Sequence, residues 1–310
     1  MITLFEFVAL TVVVILLPLL TDLLNGLFPN ARIGRIAQKL VGHVLVTFIT
    51  ALILVALYLW YSTYFPYFLD TYRLDHTSPH FHLHCIITFI LIANVLIYYL
   101  YAINTSSYIK QHPIQSQDDD SVVATTTTHT SATAATDATQ QPQCKQCGAM
   151  KRSEQKSYHC RICKRCTHHM DHHCPFIANC VGTRNHCHFV NFLMYTTLGV
   201  FYAMYLSWLP YRDCILMSST SATCQHLSKH SYIFLCTVLL LAPIAAILTW
   251  QFYVIVTDTM TVEILKRFKG LRFTQWIPYL WHNFQKRRSM ANISRVFPGW
   301  RLYNIVVPFI

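Results

Sequence analysis

A chain of 310 residues that is 54% hydrophobic and only 12% charged is too apolar for an ordinary soluble domain. Its net charge of +11 is gathered in a few segments, a pattern of membrane topology and anionic-lipid attraction that gives no reason to invoke nucleic acid. Twelve cysteines, eight of them between positions 144 and 187, point in a cytosolic segment to metal binding or catalysis and away from disulfides.

Residues 3–20 form a first hydrophobic segment with Glu6 near its start. It has no basic leader and no small-residue cleavage site, so it reads as an uncleaved span and not as a signal peptide. Residues 41–60, 85–103, 189–209 and 233–256 contain no Asp, Glu, Lys or Arg, and each is long enough to cross a bilayer as a helix. Segment 21–40 carries Arg32, Arg35 and Lys39 against Asp22; segment 104–188 carries nine basic residues; the tail 257–310 carries nine against two acidic ones. The positive-inside rule puts all three in the cytosol and the N-terminus in the lumen.

The expected organisation follows. N-terminal membrane helices fill 1–106. A disordered cytosolic linker covers 107–143, polar and Thr/Ala-rich with almost no large apolar residues. A Cys-rich domain covers 144–188, two further membrane helices 189–256, and a cytosolic tail 257–310. The tail mixes aromatic and basic residues, as interfacial helices packed against the Cys-rich domain do. In the lumenal loop 210–231, Cys214 and Cys224 either pair in an oxidising compartment or remain two free thiols.

Between 144 and 180 the ligand spacing is direct. Cys144-x2-Cys147 is followed by His159-Cys160-x2-Cys163-x2-Cys166, then His173-Cys174 and Cys180. A structural zinc takes four tetrahedral N or S ligands. Six cysteines besides Cys174, with His159 and His173, supply two Cys3His sets and leave one thiol over. So short a segment lacks a core of its own, and metal supplies the missing stability, on the order of 10 kcal/mol per site. The fold class is therefore an all-α polytopic membrane protein, with four to five transmembrane helices and a zinc-stapled cytosolic Cys-rich domain. Cys174 directly follows a ligand. His172 can take its proton, and Asp171 can orient the imidazole. The alternative is that Asp171 and His172 are plain surface residues of a zinc finger.

At these residues the chain resembles the DHHC-type protein S-acyltransferases, or palmitoyltransferases. The resemblance runs over 144–189 on Cys-x4-Asp-His-His-Cys-Pro (166–175), Asn179-Cys180-Val181-Gly182, Asn185 and Phe189. Farther on, Met260-Thr261-Val262-Glu263 resembles the family's Thr-Thr-x-Glu with its first Thr missing, and Asn292 resembles its tail asparagine. The resemblance implies two structural zinc ions, one on Cys144, Cys147, His159 and Cys166 and the other on Cys160, Cys163, His173 and Cys180. It implies that Cys174 is acylated by acyl-coenzyme A in a ping-pong reaction, with His172 as base and Asp171 as its orienter. Thr261 would brace Asp171 and Asn292 would hold the tail. The implied partners are acyl-coenzyme A, membrane lipids and cysteine-containing client proteins, at the cytosolic face of ER or Golgi membranes.

The chain departs from the family at several points. The gap between Cys147 and His159 is longer than usual and lacks a Lys-Pro-x-Arg segment, which leaves Lys156 and Arg161 as candidates for the coenzyme A phosphates. Phe176 replaces a usual Trp, and the segment 3–20 adds a span. Gly199 lies ten residues beyond Phe189, about 15 Å down a helix and near mid-bilayer. It either leaves room in the acyl cavity for chains longer than palmitoyl or permits close helix packing. Three rival functions are weaker. A RING-type interaction module would need a further Cys-x2-Cys pair. A silent scaffold is suggested by Met260 but opposed by the intact Asp171–Cys174 tetrad. A metal transporter would need ionisable residues in its spans beyond Glu6 and His43.

Overall fold

The computed structural model describes residues 32–59, 61–62, 66, 78–109, 143–150, 156–217 and 232–297. The hydrophobic segment 3–20, most of 107–143, and Cys224 lie outside the described residues.

Among the described residues four long helices dominate: α1 (Arg32–Leu59), α2 (Pro79–Asn104), α3 (His186–Tyr211) and α4 (Tyr232–Thr257). All four are long and apolar enough to cross a membrane, so the chain is an integral membrane protein. Outward residues such as Leu54, Phe89, Phe201 and Leu239 are exposed, as lipid-facing side chains of a helix that is apolar all round should be. The helices run past the apolar windows read from sequence. α1 takes in Arg32, Arg35 and Lys39, and α2 takes in His80, His82 and His84 behind a first-turn Pro79, where the missing N–H costs nothing. α3 packs between α2 and α4.

The Cys-rich region forms two small hairpins. β1 (Ser157–Cys160) pairs antiparallel with β2 (Arg165–His168), and β3 (His172–Cys174) with β4 (Asn179–Val181). A short 3-10 turn, Pro175–Ile177, links β3 to β4. Ala178 closes it in the left-handed region at φ 49°.

The platform begins earlier than the sequence suggests. Tyr108 bridges to Thr167 beside β2; His168 N–H donates to Ser107 C=O at 3.0 Å, and Ile109 N–H to Cys166 C=O at 2.9 Å. Residues 107–109 are therefore a short edge of the platform and not linker. Composition misled because Ser107 is polar yet fully buried: its hydroxyl donates to Asn185 Oδ1 at 3.1 Å and accepts from Arg184 N–H at 3.0 Å. These segments meet at Gly182, where a Cβ would lie 2.6 Å from His168 O and 2.9 Å from Ser107 Cβ.

The platform leans on the membrane helices. Gly42 of α1 faces the β3–β4 turn so closely that a Cβ there would sit 3.2 Å from Ala178 Cβ and 3.5 Å from Pro175 O. Tyr99 OH of α2 donates to Phe176 C=O at 2.9 Å. One core joins Tyr98 and Tyr99 of α2, Phe189, Phe192 and Tyr195 of α3, and Cys174, Ile177 and Val181 of the platform.

Among the described residues, three short helices follow α4: α5 (Thr261–Phe268), α6 (Trp276–Arg287) and α7 (Met290–Val296). Asn292 Nδ2 donates to Val256 C=O at 2.8 Å, satisfying a carbonyl left open by the end of α4. Asn283 Nδ2 donates to Tyr253 OH at 3.0 Å. These bonds dock the tail on α4. Phe273, Ile277 and Trp281 remain exposed.

Candidate active site

Strand geometry sorts the ligands. Consecutive residues of a strand face opposite sides, so His159 and Cys160 serve different metal sets. His159 stands opposite Cys166 across β1–β2. With Cys144 and Cys147 they form one set of four whose ligand atoms all lie within 4.8 Å of one another. His173 stands opposite Cys180 across β3–β4, and with Cys160 and Cys163 they form the second. The interleaved pairing is thus a direct result of two hairpins placed side by side.

The distances fit zinc. Bonds of about 2.3 Å to sulfur and 2.0 Å to nitrogen at tetrahedral angles give ligand–ligand edges of about 3.5–3.8 Å. In the first set, His159 Nδ1 lies 3.6 Å from Cys144 Sγ and 3.9 Å from Cys166 Sγ, and Cys147 and Cys166 Sγ are 3.6 Å apart. In the second, His173 Nδ1 lies 3.7, 3.4 and 3.7 Å from Cys160, Cys163 and Cys180 Sγ. Both sets are all-protein Cys3His sets, as structural zinc requires.

Period-two alternation also separates metal from chemistry. His173 faces the ligands; His172 and Cys174 share the other face of β3. Asp171 just precedes the strand, with its side chain fully buried. His172 Nδ1 lies 2.8 Å from Asp171 Oδ2. An ionised carboxylate only accepts, so Nδ1 carries the proton. The Cys174 thiol lies close enough to the imidazole to act on its protonation, and with Nδ1 taken by Asp171 the free ring nitrogen is Nε2. Phe189 meets the imidazole edge-on at 5.4 Å. Burial favours neutral His172, but the bonds and charges of Asp171 and Cys174 outweigh it and raise its pKa. Burial likewise opposes the Asp171 carboxylate; the bond and charge of His172 and the Thr261 N–H prevail and lower its pKa.

The Asp171 carboxylate has three donors. Oδ1 accepts from Thr261 N–H at 2.6 Å, and Oδ2 from Gln251 Nε2 at 3.1 Å as well as from His172. The Asp171 C=O accepts from Val262 N–H at 3.2 Å. Trp250 Nε1 fixes Thr261 by donating to its hydroxyl at 2.9 Å. Met260 is the N-cap of α5 and offers no cap bond. The missing family threonine therefore removes a helix cap and leaves the grip of Thr261 on Asp171 intact.

Lys156 and Arg161 are not alike. Lys156 Nζ forms an ion pair with Glu263 at 3.0 Å and donates to Asp258 C=O at 3.3 Å. Tyr158 OH donates to the other Glu263 oxygen at 3.1 Å, so Glu263 binds α5 to β1. Arg161 is exposed in the β1–β2 turn. A Cβ at Gly199 would meet nothing within 4 Å among the described residues. Cys214 is disulfide-bonded.

Sequence reasoning missed Gln251, His186 and Trp250. A search of the spans for charged residues passes over a glutamine. The available signal was a lone amide in a long apolar run, since buried polar groups in membranes demand partners.

Fold and site together define a polytopic membrane protein whose Cys/His platform, stapled at two metal sets, presents a thiol–imidazole–carboxylate trio against its spans. Its relatives agree. The profile of the family described as DHHC palmitoyltransferase matches residues 138–267. The chain is 34% identical over 367 aligned residues to "Putative ZDHHC-type palmitoyltransferase 8" of Dictyostelium discoideum, covering 100% of this chain and 97% of the relative. It is 46% identical over 61 residues to "Palmitoyltransferase ZDHHC7" of Rattus norvegicus, 20% of each chain. It is 34% identical over 118 residues to "Palmitoyltransferase ZDHHC3" of the same organism, 36% of this chain and 39% of the relative. The chain belongs to the DHHC palmitoyltransferase family and is, by that membership, a protein S-palmitoyltransferase.

Proposed function

We propose that the chain transfers a long acyl group, palmitoyl above all, from acyl-coenzyme A to cysteines of client proteins through an acyl-enzyme at Cys174. The observation that carries this reading is the Cys174 thiol, left out of two complete ligand sets and two residues along β3 from an imidazole that a buried carboxylate holds.

First, His172 Nε2 takes the Sγ proton of Cys174, and Sγ bonds to the thioester carbonyl carbon. The bond to the coenzyme A sulfur breaks, and that sulfur leaves with the proton from His172. Next, His172 takes the proton of a client thiol, the client sulfur bonds to the acyl carbon, and Cys174 is released and reprotonated. Two successive displacements give ping-pong kinetics. Asp171 keeps the imidazole in the Nδ1–H tautomer and stabilises the imidazolium between transfers. Zinc on Cys144, Cys147, His159 and Cys166 and on Cys160, Cys163, His173 and Cys180 would supply rigidity rather than chemistry.

The burial of Cys174 among α2 and α3 residues supports an acyl chain lying between the spans, with Gly199 in the wall of its cavity and room for stearoyl. Exposed Arg161, and Lys156 once it exchanges Glu263 for phosphate, would meet coenzyme A. The basic segments support a cytosolic site, and family membership points to an endomembrane such as ER or Golgi, with membrane lipids around the spans.

The test uses purified protein and labelled palmitoyl-coenzyme A. Wild type should take label at Cys174 and pass it to a client cysteine. Cys174→Ser should keep its zinc and take none, because a hydroxyl is a far weaker nucleophile than a thiolate. Wild-type labelling of that variant would overturn the reading.

A further inference from the structure

Gln251 lies six residues before the end of α4, about 9 Å inward from that end. It is 2% exposed and His186 is 4% exposed. Both ends of its amide are used: Nε2 donates to Asp171 Oδ2 at 3.1 Å, and Oε1 accepts from His186 Nε2 at 2.8 Å. His186 is the first residue of α3 and Gln251 belongs to α4. A chain of three hydrogen bonds therefore runs from α3 through α4 to the carboxylate and on to His172.

We propose that Gln251 and His186 are positioning residues of acyl transfer: together they fix the Asp171 carboxylate that orients His172. The inference rests on the acyl-enzyme reading above. Its logic is one of direction. A carboxylate only accepts, so the amide must present nitrogen to Asp171 and oxygen away from it. A glutamine amide can turn over, and the turned form would set oxygen against oxygen. His186 Nε2–H forbids that form by requiring an acceptor where the amide oxygen lies. One imidazole thus selects the amide orientation, and the amide fixes the Asp171 oxygen that His172 uses. Both side chains are buried, and an unmade bond there is expensive.

If Gln251 merely filled the α3–α4 seam, its loss would lower the folded, zinc-loaded fraction and leave the chemistry of the remaining molecules unchanged. If it positions Asp171, kcat falls and KM for palmitoyl-coenzyme A does not. The experiment measures Cys174 labelling by palmitoyl-coenzyme A per mole of zinc-loaded enzyme, at varied substrate, for wild type, Gln251→Met, His186→Phe and the double variant. Methionine keeps the shape and flexibility of glutamine and suits a membrane helix.

Gln251→Met should lower kcat by about ten- to a hundredfold, the worth of a bond to a charged group, with KM unchanged. His186→Phe should lower kcat by less. The double variant should match Gln251→Met, because both residues act through one chain. A wild-type kcat in Gln251→Met, a rise in KM alone, or additive losses would overturn the proposal. Should Gln251→Met fail to fold, His186→Phe decides, and a wild-type kcat there sinks the idea. An unlabelled wild type would instead condemn the acyl-enzyme reading itself.

Discussion

The set formed by Cys144, Cys147, His159 and Cys166 and the set formed by Cys160, Cys163, His173 and Cys180 use the same donors, three thiolates and an imidazole through Nδ1. Their surroundings differ. The first ties the 143–150 loop to the β1–β2 hairpin. The second ties that hairpin to β3–β4, and β3 carries His172 and Cys174 on its other face. One set closes a fold, whereas the other also sets the register of the chemistry. The same donor group can thus have two duties, and the strand behind the ligand decides which.

The largest expected contrast between them comes from His173→Ala set against Cys147→Ser. Loss of His173 should release metal and cut Cys174 labelling by about a hundredfold, since small misplacements of reacting groups cost that much. Loss of Cys147 should release metal from the other set and reduce labelling by no more than about tenfold. Elemental analysis beside labelling reads both, and equal losses of labelling would erase the contrast. A smaller effect is expected where the hairpins meet. Gly182→Ala drives a methyl onto His168 O and should cost about 1–3 kcal/mol of stability at unchanged zinc content, visible as a lower melting temperature. Smallest is Glu263→Gln, which removes a part-exposed ion pair with Lys156 worth less than about 1 kcal/mol. It also frees Lys156. A lower KM for palmitoyl-coenzyme A would speak for Lys156 on the phosphates, and an unchanged KM would leave it a purely structural residue.

Much of the site was legible in the sequence because metal ligation and nucleophilic chemistry need particular atoms. Cys-x2-Cys spacing and the Asp171–Cys174 run state those needs openly, and the charge-free windows marked the spans. The ligand pairing was legible only through family resemblance. Its physical cause is alternation along strands of three or four residues, and Ser-Tyr-His-Cys or His-His-Cys carries no hydrophobic pattern that would reveal a strand. Ser107 was read as linker because polarity on the page does not distinguish a solvated serine from one buried against Asn185. Gln251 escaped for a similar reason: its partner Asp171 lies eighty residues away in the chain, and only the packing of α4 brings the two together.

The contact of Gly42 with the turn after Cys174 has a consequence for the membrane itself. A span longer or shorter than the local hydrocarbon thickness answers by tilting. At Gly42, α1 faces Pro175 and Ala178 with only the Ala178 methyl between the two backbones, so a change in its tilt bears on the turn that follows the thiol. Cys174 labelling is therefore expected to vary between bilayers of different thickness, with Gly42 as the point where the span bears on the platform.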